Sequence, residues 1–147
     1  MPHVSPVTSY MNAVDTNVLI YVHDPRDARK QDIASELVEN LADGVLVWQT
    51  VCEFLSASRK LAPLGYNFNQ AATDIRRLMT QWATALPSWQ VIDRAVSLLE
   101  RYSLAYWDSM LVAACLEAGI ETLYTENFSG YDDIDGLKIV NPFLAAE

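Results

Sequence analysis

The apolar positions fall into short continuous runs that alternate with longer segments of helical period. Residues 11–15 (Met-Asn-Ala-Val-Asp) read as a buried strand that ends on a carboxylate. A short helix over 16–22 is stopped by His23-Asp24-Pro25. Residues 27–42 repeat Ile33, Leu37 and Leu41 at four-residue spacing, with Ala34 and Val38 beside them, and Asp43-Gly44 closes that helix. Residues 45–48 predict a second buried strand. A third helix follows over 50–61, with Val51, Phe54, Leu55, Ser58 and Leu61 on one side, broken by Pro63-Leu64-Gly65. The pattern then predicts an amphipathic helix over 69–85, a short strand over 87–91, helices over 93–102 and 105–117 ended by Gly119, and strands over 121–125 and 137–140.

Strands that are continuous apolar runs, separated by helices, imply βαβ units: an α/β fold with a mostly parallel sheet covered on both faces. Ligands of such sheets bind outside the carboxyl ends of the strands, so strand ends are where chemistry is expected. The 147 residues suit one domain, expected over 11–147 behind a loose leader over 1–10 that carries Pro2 and Pro6. Five glycines and six prolines exclude collagen-like and low-complexity chains.

Ten Lys and Arg against 19 Asp and Glu give a net charge of −9, which repels polyphosphates at long range and excludes a groove binder that holds nucleic acid by charge alone. A local acidic cluster that holds cations, or a basic protein partner, is compatible with it. Cys52 and Cys115 lie in helix-like apolar patterns and read as buried apolar side chains; their spacing supports neither zinc nor a redox pair. With no signal-peptide pattern and no apolar run of spanning length, the expected location is the cytoplasm, with no membrane contact.

The carboxylates are the informative residues. Asp15 ends the first strand and is equally well read as an N-cap for the next helix. Asp108 opens an apolar stripe with Leu111, Val112 and Cys115, where a helix N-terminus also favours an acid. Glu53 shares a helix flank with Gln49, Ser56, Ala57 and Lys60, as a solvated Glu does. Glu126 and Asn127 follow the strand end at Thr125, where a polar loop is ordinary. Tyr106 and Trp107, beside Asp108, read as core. Taken together, acids stand at two strand exits and on two helices that can border one edge. Carboxylates gathered there stay ionised only with cations, and Mg²⁺ or Mn²⁺ suits an oxygen donor set without His or Cys. His3 and His23 are isolated. Such an ion lowers the pKa of a bound water for phosphodiester hydrolysis. No GxSxG, GxGxxG or GxxxxGK[ST] offers competing chemistry.

Four stretches carry a resemblance: Val14-Asp15-Thr16-Asn17-Val18-Leu19-Ile20-Tyr21, Gln49-Thr50-Val51-Cys52-Glu53-Phe54, Tyr106-Trp107-Asp108-Ser109-Met110-Leu111-Val112-Ala113-Ala114 and Leu123-Tyr124-Thr125-Glu126-Asn127, with a tail over 136–143. In order and spacing they resemble PIN-domain nucleases, specifically the VapC-type toxins of bacterial toxin–antitoxin pairs. The resemblance implies a three-layer α/β/α sandwich. It implies an acidic pocket of Asp15, Glu53 and Asp108, with Asp15 and Asp108 the foremost metal ligands, supported by Thr16, Asn17 and Thr125. It also implies Mg²⁺-dependent cleavage of RNA, a small antitoxin that blocks the pocket and binds promoter DNA, and a homodimer. The sequence departs from the family at Asn127, which stands where a further Asp is usual. An amide adds no charge, which weakens a second ion; Glu126, Asp132 or Asp133 could substitute. Of the basic residues, Arg26, Arg29 and Lys30 are the first candidates for phosphate contact, ahead of Arg59-Lys60 and Arg76-Arg77. Two other readings stay open: a catalytically weak PIN-like module that binds metal, RNA or a partner, and a plain α/β binding protein whose acids are caps and surface residues.

Overall fold

The structure, a computed structural model, describes residues 10–128 and 130–144. The expected leader over 1–10 lies outside the described residues except for Tyr10. Chain order is β1 (Met11–Val14), α1 (Thr16–Val22), α2 (Ala28–Asn40), β2 (Val45–Val47), α3 (Trp48–Ser58), a 3-10 segment (Arg59–Leu64), α4 (Phe68–Gln81), β3 (Ala83–Ala85), α5 (Trp89–Arg101), α6 (Tyr106–Glu117), β4 (Ile120–Tyr124), β5 (Asp133–Ile134) and β6 (Leu137–Val140). Strands β1, β4, β6 and β5 form one sheet in that order, parallel except at the β5–β6 edge. A second, parallel pair, β2–β3, joins its free edge through an Asn12–Gly44 bridge and the Asn12 N–H donating to the Asp43 carbonyl at 3.0 Å.

The strands are short apolar runs because both faces are covered. Ala13, Val45 and Val47 point to one side, where Val91, Ala95 and Leu98 of α5 and Leu111, Val112 and Cys115 of α6 meet them. Val14 and Leu46, one residue out of phase, point to the other, against Val18, Leu19, Ala34, Phe54 and Ile75. Side chains alternate across a strand, so consecutive apolar residues feed two cores. The α/β/α sandwich with a mostly parallel sheet expected from the sequence is therefore what the chain forms.

Three local expectations fail, each for a packing reason. The helix predicted over 69–85 stops at Gln81, because residues 83–85 pair with β2. The strand predicted over 87–91 is the start of α5: the Ser88 hydroxyl accepts from the Val91 N–H at 3.3 Å and caps it. Cys52, Tyr106 and Trp107, read as buried, are exposed; Cys115 is buried as expected. The short β5 has no periodic signal of its own and forms as the partner of β6. Among the described residues no helix is long and apolar enough to cross a membrane.

Candidate active site

Strand β1 is the edge of the four-stranded sheet, between β4 and the β2–β3 pair. The Asp15 N–H donates to the Tyr124 carbonyl at 2.9 Å, so β1 hands the chain to α1 directly beside the end of β4. Asp15 caps α1: its Oδ1 accepts the Thr16 N–H at 2.7 Å. Its Oδ2 accepts the Thr125 hydroxyl at 2.8 Å. The N-cap expectation holds, and the cap leaves the Asp15 carboxylate at the exit of β1 beside the end of β4. Asp15 is only 6% exposed, yet no Lys, Arg or His among the described residues pairs with it. Burial pushes its carboxyl above the usual range; the hydrogen bonds from Thr125 and Thr16 pull it down, and the charges of Glu53 and Asp108 push it up again.

Those two charges identify the neighbours. Asp108 lies in the first turn of α6, half-buried, with no hydrogen bond or ion pair among the described residues, and burial raises its pKa. Glu53 is exposed on α3. Its Oε1 accepts from Gln49 Nε2 at 2.7 Å, and the same nitrogen donates to the Trp107 carbonyl at 3.0 Å. Gln49, one helical turn before Glu53, therefore ties α3 to the residue preceding Asp108. The spacing of Gln49 and Glu53 was legible; the reach across to α6 was not. No three His, Cys, Asp or Glu side chains among the described residues form a closed ligand set, so the trio is a field of neighbouring acids rather than a finished cage.

Thr125 is the hinge of the local network. It is fully buried, donates to Asp15, and accepts from the Asn127 N–H at 3.0 Å and from Asn17 Nδ2 at 3.4 Å. Asn17 Oδ1 in turn accepts the Glu126 N–H at 3.3 Å. Thr16 Oγ1 is buried with no partner among the described residues. Asn127 contributes its backbone to this network, and its side chain is exposed with no hydrogen bond among them.

Glu126 faces elsewhere. Its carboxylate accepts from Tyr21 Oη at 2.7 Å and pairs with Lys30 Nζ. Burial alone would raise its pKa, but Lys30 and Tyr21 hold it below the usual carboxylate range. The expectation that Glu126 substitutes for the missing acid thus meets a carboxylate already paired with a cation. Asp133 also is occupied, accepting the Gly136 N–H at 3.0 Å in the β5–β6 turn. The basic group expected to meet phosphate is largely committed: Arg26 is paired with Asp24 at 2.8 Å, Lys30 with Glu126, and Arg29 Nη2 donates to the Phe143 carbonyl at 2.7 Å.

The donor set suits a hard divalent ion. It is all oxygen, and one member is buried without a counter-charge among the described residues, its pKa raised by that burial and further by the charges of Glu53 and Asp108. The family model for the PIN domain matches residues 13–136. The chain belongs to the PIN-domain family. Among solved structures this PIN domain is similar to a toxin–antitoxin complex from Klebsiella pneumoniae, with 22% identity, 89% of this chain and 97% of that one covered, and a TM-score of 0.67. It is also similar to VapBC2 from Rickettsia felis bound to a promoter DNA fragment, with 13% identity, coverage of 89% and 98%, and a TM-score of 0.63. Mycobacterium tuberculosis VapC20, a sarcin–ricin-loop-cleaving toxin, gives 17%, 76% and 86%, and 0.60. The chain thus spans nearly the full length of these VapC-type folds. No curated protein matches it.

Proposed function

We propose that this PIN domain is a divalent-metal-dependent endoribonuclease and the toxin of a toxin–antitoxin pair. The observation that carries the reading is Asp15: a buried carboxylate, without a cationic partner among the described residues, whose pKa is raised first by burial and further by the charges of Glu53 and Asp108 on two other helices. A fold built only for stability would give such a group a basic partner or leave it in water. Its VapC-type neighbours, one of them an RNA-cleaving toxin, support the same reading.

In this account Asp15 and Asp108 are the metal ligands, Mg²⁺ in the cell with Mn²⁺ as substitute, and Glu53 completes the acidic pocket. Held there, a divalent ion would lower the pKa of a coordinated water toward neutrality, the chemistry that phosphodiester hydrolysis needs. Thr125 keeps Asp15 ionised and aimed; Asn17 and Thr16 brace the turn beneath it. Glu53, exposed and oriented by Gln49, would join Asp15 and Asp108 in holding that ion. The partners are RNA as substrate and a small antitoxin, as the complexes among its neighbours support; the protein works as a homodimer in the cytoplasm, over a single domain from residue 11 onward. The antitoxin's basic surface suits the net charge of −9.

Incubation of total RNA with the wild type is expected to give cleavage with Mg²⁺ or Mn²⁺ that disappears with chelator and in Asp15→Asn and Asp108→Asn. Cleavage that persists in both variants contradicts the proposal. Asn127 supports a second reading, a catalytically weak module that binds metal, RNA or a partner: no acid stands at this strand end except Glu126, which Lys30 holds away. Asn127→Asp separates the two. A large gain in cleavage favours the weak module, whereas strong wild-type activity that the substitution leaves unchanged dismisses it.

A further inference from the structure

The sharpest unexplained feature is the exposure of two indoles beside the acids. Trp107 is 64% exposed and Trp48 is 46% exposed, although both stand in the first turns of helices that each bury one face in the core. They face one open groove of about 490 Å³, whose walls include Pro87, Met110, Gln49 and Glu53. Glu53 lines this groove and its charge is felt at Asp15, and Trp107 directly precedes Asp108, so the groove borders the acids. Trp107 is held in place. Its carbonyl accepts from Gln49, and its ring meets Tyr106 edge-on at 5.1 Å and 79°.

The lining decides the occupant. No Lys or Arg contributes to the groove, and Glu53 does, so a phosphate is repelled from it. A flat, neutral, polarisable group is favoured, with Glu53 and Gln49 presenting oxygen acceptors at its edge. An unpaired nucleobase meets each requirement, because indole faces stack on bases of any sequence. We infer that the groove between Trp48 and Trp107 holds one unpaired base of the RNA whose adjacent phosphate lies at Asp15 and Asp108. This inference rests on the nuclease reading. It adds which side chains receive the base, and a base held inside a duplex cannot enter the groove.

The test uses the full wild-type chain as parent, with Ca²⁺ in place of Mg²⁺ so that the ion bridges without supporting cleavage, and a fluorescein-labelled unpaired RNA octamer. Trp107→Ala and Trp48→Ala are each expected to weaken binding about 5- to 150-fold, the range of a lost base–aromatic stack. Trp107→Phe should restore most of it. Trp89→Ala, which removes an indole 77% exposed but outside the groove, should change nothing. Indole fluorescence should be quenched by the octamer and far less by the same sequence as a duplex. The inference is overturned if the parent binds no octamer, if Trp107→Ala binds as the parent does, or if the duplex quenches equally. It is also overturned if Trp107→Ala changes the oligomeric state by light scattering while RNA binding is intact, which would assign the groove to a second copy. Failure here with metal-dependent cleavage of total RNA preserved removes the stacking site alone; failure of that cleavage in the wild type removes the nuclease reading itself.

Discussion

Thr125 shows how a neutral residue sets the state of a charged one. Its hydroxyl has a single proton, given to Asp15, while its lone pairs take the Asn127 N–H and Asn17 Nδ2. That bond favours the ionised carboxylate, against burial and the two neighbouring acids. Removing it raises the Asp15 pKa further above the ordinary carboxylate value. Activity that needs ionised Asp15 is lost as pH falls through that pKa, so the acid limb of the rate profile in Thr125→Val moves to higher pH. Cleavage at neutral pH should fall by about tenfold, as loss of a charge-assisted hydrogen bond of about 1.5 kcal/mol implies. Thr125→Ser should restore both. An unmoved acid limb in Thr125→Val would show that Asp15 is not the group being titrated.

At the scale of elements, the pieces that deliver the acids were legible where periodicity was strong. Strand β1, helix α6 and strand β4 fall within a residue or so of where the pattern puts them, because each is an apolar run bounded by a carboxylate, a glycine or a loop. Asp15 and Asp108 stood out for the same reason: each is a charge at the edge of an apolar run. What was not legible depends on contacts across the fold. Strand β3 looks like the tail of α4 until β2 is there to pair with it. Trp107 looks like core, since no local pattern tells an indole facing a groove from one facing a sheet. The pairing of Glu126 with Lys30 joins residues 96 apart in sequence. Gly44 shows how tightly β2 is set against α4. A Cβ there would stand 2.4 Å from the Trp82 indole, itself only 8% exposed. Gly44→Ala is expected to destabilise the protein by about 1–3 kcal/mol, as overpacking does, read as a lower denaturation midpoint at an unchanged m-value. Wild-type stability in this variant would contradict the close approach.

At the scale of the whole molecule, topology does what the sequence order hides. Residues 15, 53 and 108 lie on different elements, and the parallel sheet sends β1 and β4 out at the same edge, where α3 and α6 begin. The net charge of −9 would by itself repel RNA, and the basic residues near the site are engaged with Asp24, Glu126 and the Phe143 carbonyl. In the proposed reading, a divalent ion between substrate and acids would reverse that balance at the site itself. Calorimetric titration with Mn²⁺ in the absence of RNA measures this directly. Specific, saturable binding to the wild type that is lost in Asp15→Asn and sharply weakened in Asp108→Asn is the expected result; equal binding by all three proteins, or none by the wild type, would contradict the account.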